Sequence, residues 1–184
     1  MDNGASSYRR FLEGNKNALA EIIREYRDGL VLYICSFTDN ICTAEEIAEE
    51  VFIKLYVKKP KFSGKSSFKT WIYSIGRFTA IDYIRKMSRL VSAPIDDFYS
   101  LADRAEIEQN YIKDEQKIMI HHAMQKLNSD YRQVLYLVYF EEFDNAQTAK
   151  IMHKTSRQIT YLLYRAKKSL KSELEREGFI YEEL

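Results

Sequence analysis

"DNAQTAKIMHKTSRQITYLLYRAKKSL", residues 144–170, decides the fold. Asp144 is followed three residues later by Gln147, and Thr155 three residues later by Gln158. Each pair is a capping box: the first side chain accepts from the amide three residues on, and the second reaches back to the first amide. Two such helix starts, separated by "MHK", describe a helix, a short turn and a second helix. The second helix carries Ile159, Leu163, Ala166 and Leu170 at heptad-like spacing. Off that stripe, Ser156, Arg157, Gln158, Thr160 and Tyr161 occupy its first two turns. In a DNA-binding helix-turn-helix the second helix enters the major groove, and its first turn meets base edges. There Arg pairs with guanine and Gln with adenine, each through two hydrogen bonds. Lys154, Arg165, Lys167, Lys168 and Lys171 suit phosphates. His153 stands where such turns usually carry Gly, and His tolerates positive φ better than most residues. A plain helical hairpin with a solvated basic face is the competing reading.

Working outward, Asn128 or Ser129 caps a preceding helix, "DYRQVLYLVYF". Further back, residues 88–115 lose strong periodicity, and with Pro94 and "DDFYS" they read as a linker. The N-terminal part is again helical. Leu19, Ile22, Ile23, Tyr26, Leu30, Ile34 and Phe37 keep helical spacing over 17–38. "TAEE" reads as a capping box starting a helix at Thr43, which buries Ala44, Ile47, Val51 and Leu55. Its outer face shows Glu45, Glu49 and Glu50. Pro60 and Gly64 end it, and Ser66 or Ser67 caps a third helix running to about Met87. The chain has six Gly and two Pro in 184 residues, too few for a turn-rich β protein.

Net charge is +1, but its distribution is blocked. Residues 39–50 carry five acids and no base. Residues 54–89 carry ten Lys or Arg against Asp82 alone. Residues 91–116 carry seven acids against two bases, and residues 150–171 seven bases and no acid. Two basic blocks in a nearly neutral chain point to two polyanion contacts with something different between them. Within the first block, "KFSGKSSFKTWIYSIGRF" (61–78) holds Trp71 among other rings and four cations. Ile72 and Ile75 fill one helical face, so some rings belong at the margin. Rings interleaved with cations suit single-stranded nucleic acid, where bases stack and lysines follow phosphates. An ordinary core helix with solvated lysines explains the composition equally well.

No catalytic motif is present: there is no P-loop, GxSxG, HExxH or Cys/His pairing. His121 and His122 are adjacent and diverge by about 100° on a helix. Cys35 and Cys42 form no CxxC and read as reduced thiols. We expect no metal, cofactor or small-molecule substrate. The start "MDNGASSYRR" has no signal-peptide core and no apolar run reaches membrane-spanning length, so a cytoplasmic protein without membrane insertion is expected.

Two segments resemble a known family. "TAEEIAEEVFIKLY…KFSGKSSFKTWIYSIGRFTAIDYIRK" is similar to region 2 of extracytoplasmic-function sigma factors of the sigma-70 family. "YRQVLYLVYFEEFDNAQTAKIMHKTSRQITYLLYRAKKSL" is similar to their region 4. The resemblance covers most of residues 17–175. It implies an all-α chain of two small helical domains, a region 2-like domain at 1–90 and a region 4-like domain at 117–184, joined by an acidic linker at 91–116. It further implies a non-enzymatic subunit that binds core RNA polymerase and promoter DNA and is held by an anti-sigma factor.

By position, Glu45, Glu46, Glu49, Glu50 and Phe52 would face the polymerase. Phe62, Ser63, Gly64, Lys65, Ser66 and Ser67 would form a loop holding a flipped base. Phe68, Lys69, Trp71, Tyr73, Arg77 and Arg85 would line the −10 contact. Lys154, Thr155, Ser156, Arg157, Gln158, Thr160, Tyr161 and Arg165 would meet the −35 element. The chain departs from the family's usual residues at Phe78, Asn128 and Leu162. A stand-alone helix-turn-helix regulator is the alternative. It explains residues 144–171 but leaves residues 61–87 and the acidic helix without a role. An all-helical adaptor that binds only proteins leaves both basic blocks unexplained.

Overall fold

The computed structural model describes residues 2–38, 40–90, 120 and 122–176. Among these the chain is helical with no strand, as expected. The helices are α1 (Asn3–Leu12), α2 (Asn17–Thr38), α3 (Ile41–Lys58), α4 (Phe68–Leu90), α5 (Ser129–Leu135), α6 (Asn145–Met152) and α7 (Ser156–Arg176). α5 continues directly into a π-helical turn, Tyr136–Phe140. The expected linker 91–116 and the segment 177–184 lie outside the described residues.

Capping side chains set most of the boundaries. Asp144 Oδ1 accepts from Gln147 N at 2.7 Å, and Gln147 Oε1 from Asp144 N at 3.0 Å. Thr155 and Gln158 repeat the pattern at 3.2 and 2.8 Å. The turn between them is closed by His153 at φ 53° and ψ 44°, the left-handed conformation anticipated for it. Asn128 caps α5 through Tyr131 N at 3.0 Å, and Ser67 Oγ accepts from Thr70 N at 3.1 Å at the start of α4.

The start of α3 differs from the expected Thr43. Asn40 is extended (φ −143°), and its Oδ1 accepts from Thr43 N at 3.0 Å, so the helix is capped three residues earlier with Thr43 in its first turn. α1 is an element the sequence reading did not assign. Asp2 caps it through Ala5 N at 3.1 Å, and its other oxygen accepts from Phe68 N at 2.6 Å. One carboxylate thus ties the first turns of α1 and α4 together, at two helix N-termini that favour negative charge.

The core begins where α2 meets α3. Ile22, Leu30 and Ile34 pack with Ala44, Ile47, Val51 and Leu55, all fully buried, and Ile72 of α4 closes the layer. α1 covers one end with Tyr8 and Phe11. At the other end the core does not stop. Leu135, Tyr136, Leu137, Phe143, Ile151 and Met152 continue it, so the two halves of the chain share one buried cluster.

Candidate nucleic-acid interface

α7 presents its first turns outward. Ile159 and Ala166 are fully buried, while Thr155, Ser156, Arg157, Gln158, Thr160, Tyr161 and Arg165 are exposed, Tyr161 at 63%. The Arg165 guanidinium lies 5.8 Å from the centre of the Tyr161 ring, so the two form one cationic, aromatic surface. Gln158 is less available than its position suggests. Its Oε1 is engaged by Thr155 N, which leaves Nε2 alone for a base edge. Thr160 Oγ1 donates to Ser156 O and accepts from Asn145 Nδ2. Lys154 pairs with Asp130 at 3.2 Å. Arg157 is left as the side chain at this helix start best suited to bidentate base reading.

The residue 61–67 loop is exposed except for the half-buried Phe62, Ser66 and Ser67. Gly64 adopts φ 70°, and a Cβ there would meet nothing within 4 Å. Its requirement for Gly is therefore conformational, not steric. Behind the loop the rings of Phe62, Phe68, Trp71 and Tyr8 form contacts 5.2–5.6 Å apart, edge-on between Phe62 and Phe68 and tilted in the other pairs. The Tyr8 hydroxyl donates to Pro60 O at 2.7 Å, and burial pushes its pKa up to about 12.

The expectation that most rings of α4 face nucleic acid needs correction for this conformation. Phe68 is fully buried under α1, and Tyr73 is buried between Tyr33 and Phe143. Burial first, and then the nearby Glu141 carboxylate, hold the Tyr73 hydroxyl well above its ordinary pKa. Trp71 is half-buried and Arg85 exposed. Lys69 Nζ lies 2.9 Å from Glu141 Oε2 and donates to Glu141 O at 2.8 Å. Arg77 is half-buried, with an Nε that finds no partner among the described residues. A buried donor in that state costs about 1–3 kcal/mol.

On α3, Glu46, Glu49 and Glu50 are exposed, whereas Glu45 is half-buried and pairs with Arg27 at 3.1 Å. Phe52 is buried at 6% exposure and belongs to the core, not to an outward contact surface. The sequence reading missed what stands beside the acids: Ile53, Tyr56 and Val57 are exposed at 59%, 50% and 68%. Their i, i+3, i+4 spacing, one turn on from Glu49 and Glu50, was the available signal. An acidic and apolar face of this kind suits docking to a protein. Among the described residues, no group of three His, Cys, Asp or Glu is placed to hold a metal and no helix is long and apolar enough to cross a membrane.

Known proteins share this organisation. The family description "Sigma-70 region 2" matches residues 22–90, and "Sigma-70, region 4" matches residues 117–170. The chain belongs to the sigma-70 family, with the two-region organisation of its extracytoplasmic-function branch. It is 27% identical over 175 residues to the RNA polymerase sigma-H factor of Pseudomonas aeruginosa, covering 90% of this chain and 91% of that one. It is also 27% identical over 152 residues to the ECF RNA polymerase sigma factor SigM of Bacillus subtilis, covering 83% and 92%. Among solved structures, the sigma factor RpoE of Bartonella quintana, determined with the anti-sigma factor NepR, superposes with a TM-score of 0.65 at 18% identity, covering 85% and 96%. CnrH, determined with the cytosolic domain of CnrY, superposes with a TM-score of 0.63 at 16% identity, covering 95% and 96%.

Proposed function

We propose that the chain is an extracytoplasmic-function-type sigma factor that binds core RNA polymerase, carries it to promoters and takes part in strand opening. The observation that carries this reading is the exposed start of α7 on a chain that also holds the 61–67 loop and α4. One element is built for duplex grooves and the other for unpaired bases. In this reading Arg157 and Tyr161 read the −35 element, with Arg165 on its phosphates. The loop Phe62–Ser67 receives a flipped base, and Lys69, Trp71, Arg77 and Arg85 follow the −10 strand. The exposed acids of α3, together with Ile53, Tyr56 and Val57, dock on the polymerase. The division at 1–90, 91–116 and 117–184 assigns one task to each half. The protein works without catalysis of its own and without a cofactor, in the cytoplasm where the polymerase is. The complexes in which its structural relatives were solved support an anti-sigma partner for it as well.

The experiment adds the purified chain to sigma-free core polymerase and a library of promoter fragments, then maps transcript starts. A stable complex with core and a shared upstream motif are expected. Absence of that complex overturns the proposal. Tight sequence-specific binding by the free chain, without core, would favour the stand-alone regulator.

A further inference from the structure

The loop between Lys59 and Phe68 is fixed from outside at both ends, each time by α1. At the near end α3 stops at Lys59, which turns left-handed (φ 43°, ψ 54°) without being glycine. Its Nζ lies 5.5 Å from the centre of the Phe11 ring of α1. One residue on, Pro60 O accepts from the Tyr8 hydroxyl at 2.7 Å. At the far end Phe68 N donates to Asp2 Oδ2 at 2.6 Å, while Asp2 Oδ1 accepts from Ala5 N and caps α1. Between these ends α1 supplies part of the floor. The Tyr8 ring, buried, lies 5.5 Å from Phe68 and 5.3 Å from Trp71, and Phe62 of the loop rests against the same two rings. Gly4 lets the helix come this close. A Cβ there would lie 2.5 Å from Phe68 Cδ1 and 2.5 Å from the Tyr26 hydroxyl.

These ties go beyond what seats α1. The helix is already held on α2, where Glu21 Oε2 accepts from Ser7 Oγ at 2.8 Å and pairs with the Arg10 guanidinium. The Tyr8 and Asp2 bonds instead span 52 and 66 residues and end on backbone atoms that bracket the loop. The middle of the loop is left free. Lys61, Ser63, Gly64 and Lys65 are exposed, and the chain turns at Gly64 with open space around it. The loop is a span anchored at both feet with an open crest. Each residue that must be ordered when a ligand arrives weakens binding, and anchoring the feet during folding removes part of that loss.

We propose that Asp2 and Tyr8 are positioning residues for base capture: through them α1 clamps both feet of the 61–67 loop and holds it in the shape that receives an unpaired base. The proposal rests on the reading above that this loop holds a flipped base. Neither residue touches DNA; each acts through the backbone it bonds. A carboxylate suits the first task because it has one oxygen for each of two helix starts. Asn has a single side-chain oxygen, enough for the cap of α1 or for Phe68 N but not for both. Phe in place of Tyr8 keeps the ring in the floor and loses only the bond to Pro60 O.

The test uses the full chain with core polymerase and a promoter duplex carrying 2-aminopurine at one non-template −10 position at a time. Its fluorescence rises when the base leaves the stack. Tyr8→Phe and Asp2→Asn are compared with Arg10→Ala, which cuts a tie between α1 and α2 and touches neither foot of the loop. In the free chain, acrylamide quenching of Trp71, the only tryptophan, reads the order of the loop floor. We expect Tyr8→Phe and Asp2→Asn to slow the fluorescence rise about three- to tenfold, with affinity for the closed duplex within about twofold of the parent. Trp71 should become more open to quencher in both, and Arg10→Ala should match the parent in all three measurements. Folded variants that capture the base at the parent's rate overturn the proposal. An equal slowing in Arg10→Ala, or an equal loss of affinity for the closed duplex, also overturns it, because the effect then follows the seating of α1 and not the two ties. If the parent with core polymerase brightens no base at any position, the base-holding reading itself has failed and the clamp positions nothing.

Discussion

Gly29→Ala separates packing within the first half from packing between the halves. Gly29 lies inside α2, so Ala in its place strengthens the helix by about 1 kcal/mol whichever way the halves are arranged. The added methyl also has an address where the two halves are closed on each other, as they are in this structure. It would sit 2.5 Å from Glu141 Oε1 and 3.1 Å from Glu141 Cδ, and against the Tyr73 hydroxyl. Overpacking of this kind costs about 1–3 kcal/mol. Once Phe143 and Glu141 leave, the Tyr73 hydroxyl is the far end of a flexible side chain and can swing aside. The crowding cost then falls on the closed form alone, while the helix gain falls on both. The closed-to-open ratio should drop by about 5- to 150-fold, with little change in overall stability. Energy transfer between dyes at the exposed Asp82 and Ser172, one in each half, reads the first quantity, and a denaturant titration of the same sample reads the second. If transfer is unchanged and the chain is simply about 1 kcal/mol more stable, the methyl has been accommodated and the close approach at Gly29 constrains nothing.

Three further outcomes follow from the site. Arg157→Ala should relax preference at one −35 position by about 1–3 kcal/mol. Gln158→Ala, which removes half a capping box, should instead lower stability by about 0.5–2 kcal/mol. A selection on randomised promoter fragments, with melts of both variants, checks the pair, and a relaxed position for Gln158→Ala would reverse the assignment. Trp71→Ala should slow strand opening on polymerase more than duplex binding. Equal loss in both steps would return Trp71 to a purely structural role beside Tyr8 and Phe62. Stability should fall steeply above pH 10. Burial raises the pKa of Tyr8 to about 12 and holds those of Tyr26, Tyr33, Tyr73 and Tyr136 well above the ordinary tyrosine value. Above pH 10 the unfolded chain releases these protons and the folded chain keeps them. The stabilisation, complete below pH 10, is therefore lost at about 1.4 kcal/mol per pH unit for each tyrosine until its folded value is passed. Melting temperature against pH, with tyrosinate absorbance, tests this, and a flat profile from pH 9 to 11.5 would refute it.

The readings that relied on local chemistry were legible because their cause lies within a few residues. The boxes at Asp144 and Thr155, the cap at Asn128 and the left-handed His153 each depend on side chains reaching amides nearby. The buried stripe Ala44, Ile47, Val51 and Leu55 needs only the period of 3.6. Boundaries failed where two capping residues competed, as Asn40 and Thr43 did. α1 was passed over although Ala5, Tyr8 and Leu12 keep helical spacing.

What no local pattern contained was the partner of each face. A helical period says that Tyr73 lies about 100° from Ile72, and from this a ring at the margin, facing nucleic acid, was a reasonable expectation. It cannot say that a π-helical turn seventy residues later delivers Glu141 and Phe143 to that same margin. The physics of the stretch is satisfied by either neighbour. An aromatic ring flanked by a lysine is suited to a stacked base and phosphate, and equally to Phe143 and a carboxylate. The ambiguity that the sequence left between core helix and binding surface is therefore itself informative. A face composed to bind a polyanion is also a face that one acidic, aromatic loop of the same chain can cover. The residues chosen for the first task make the second available to the fold.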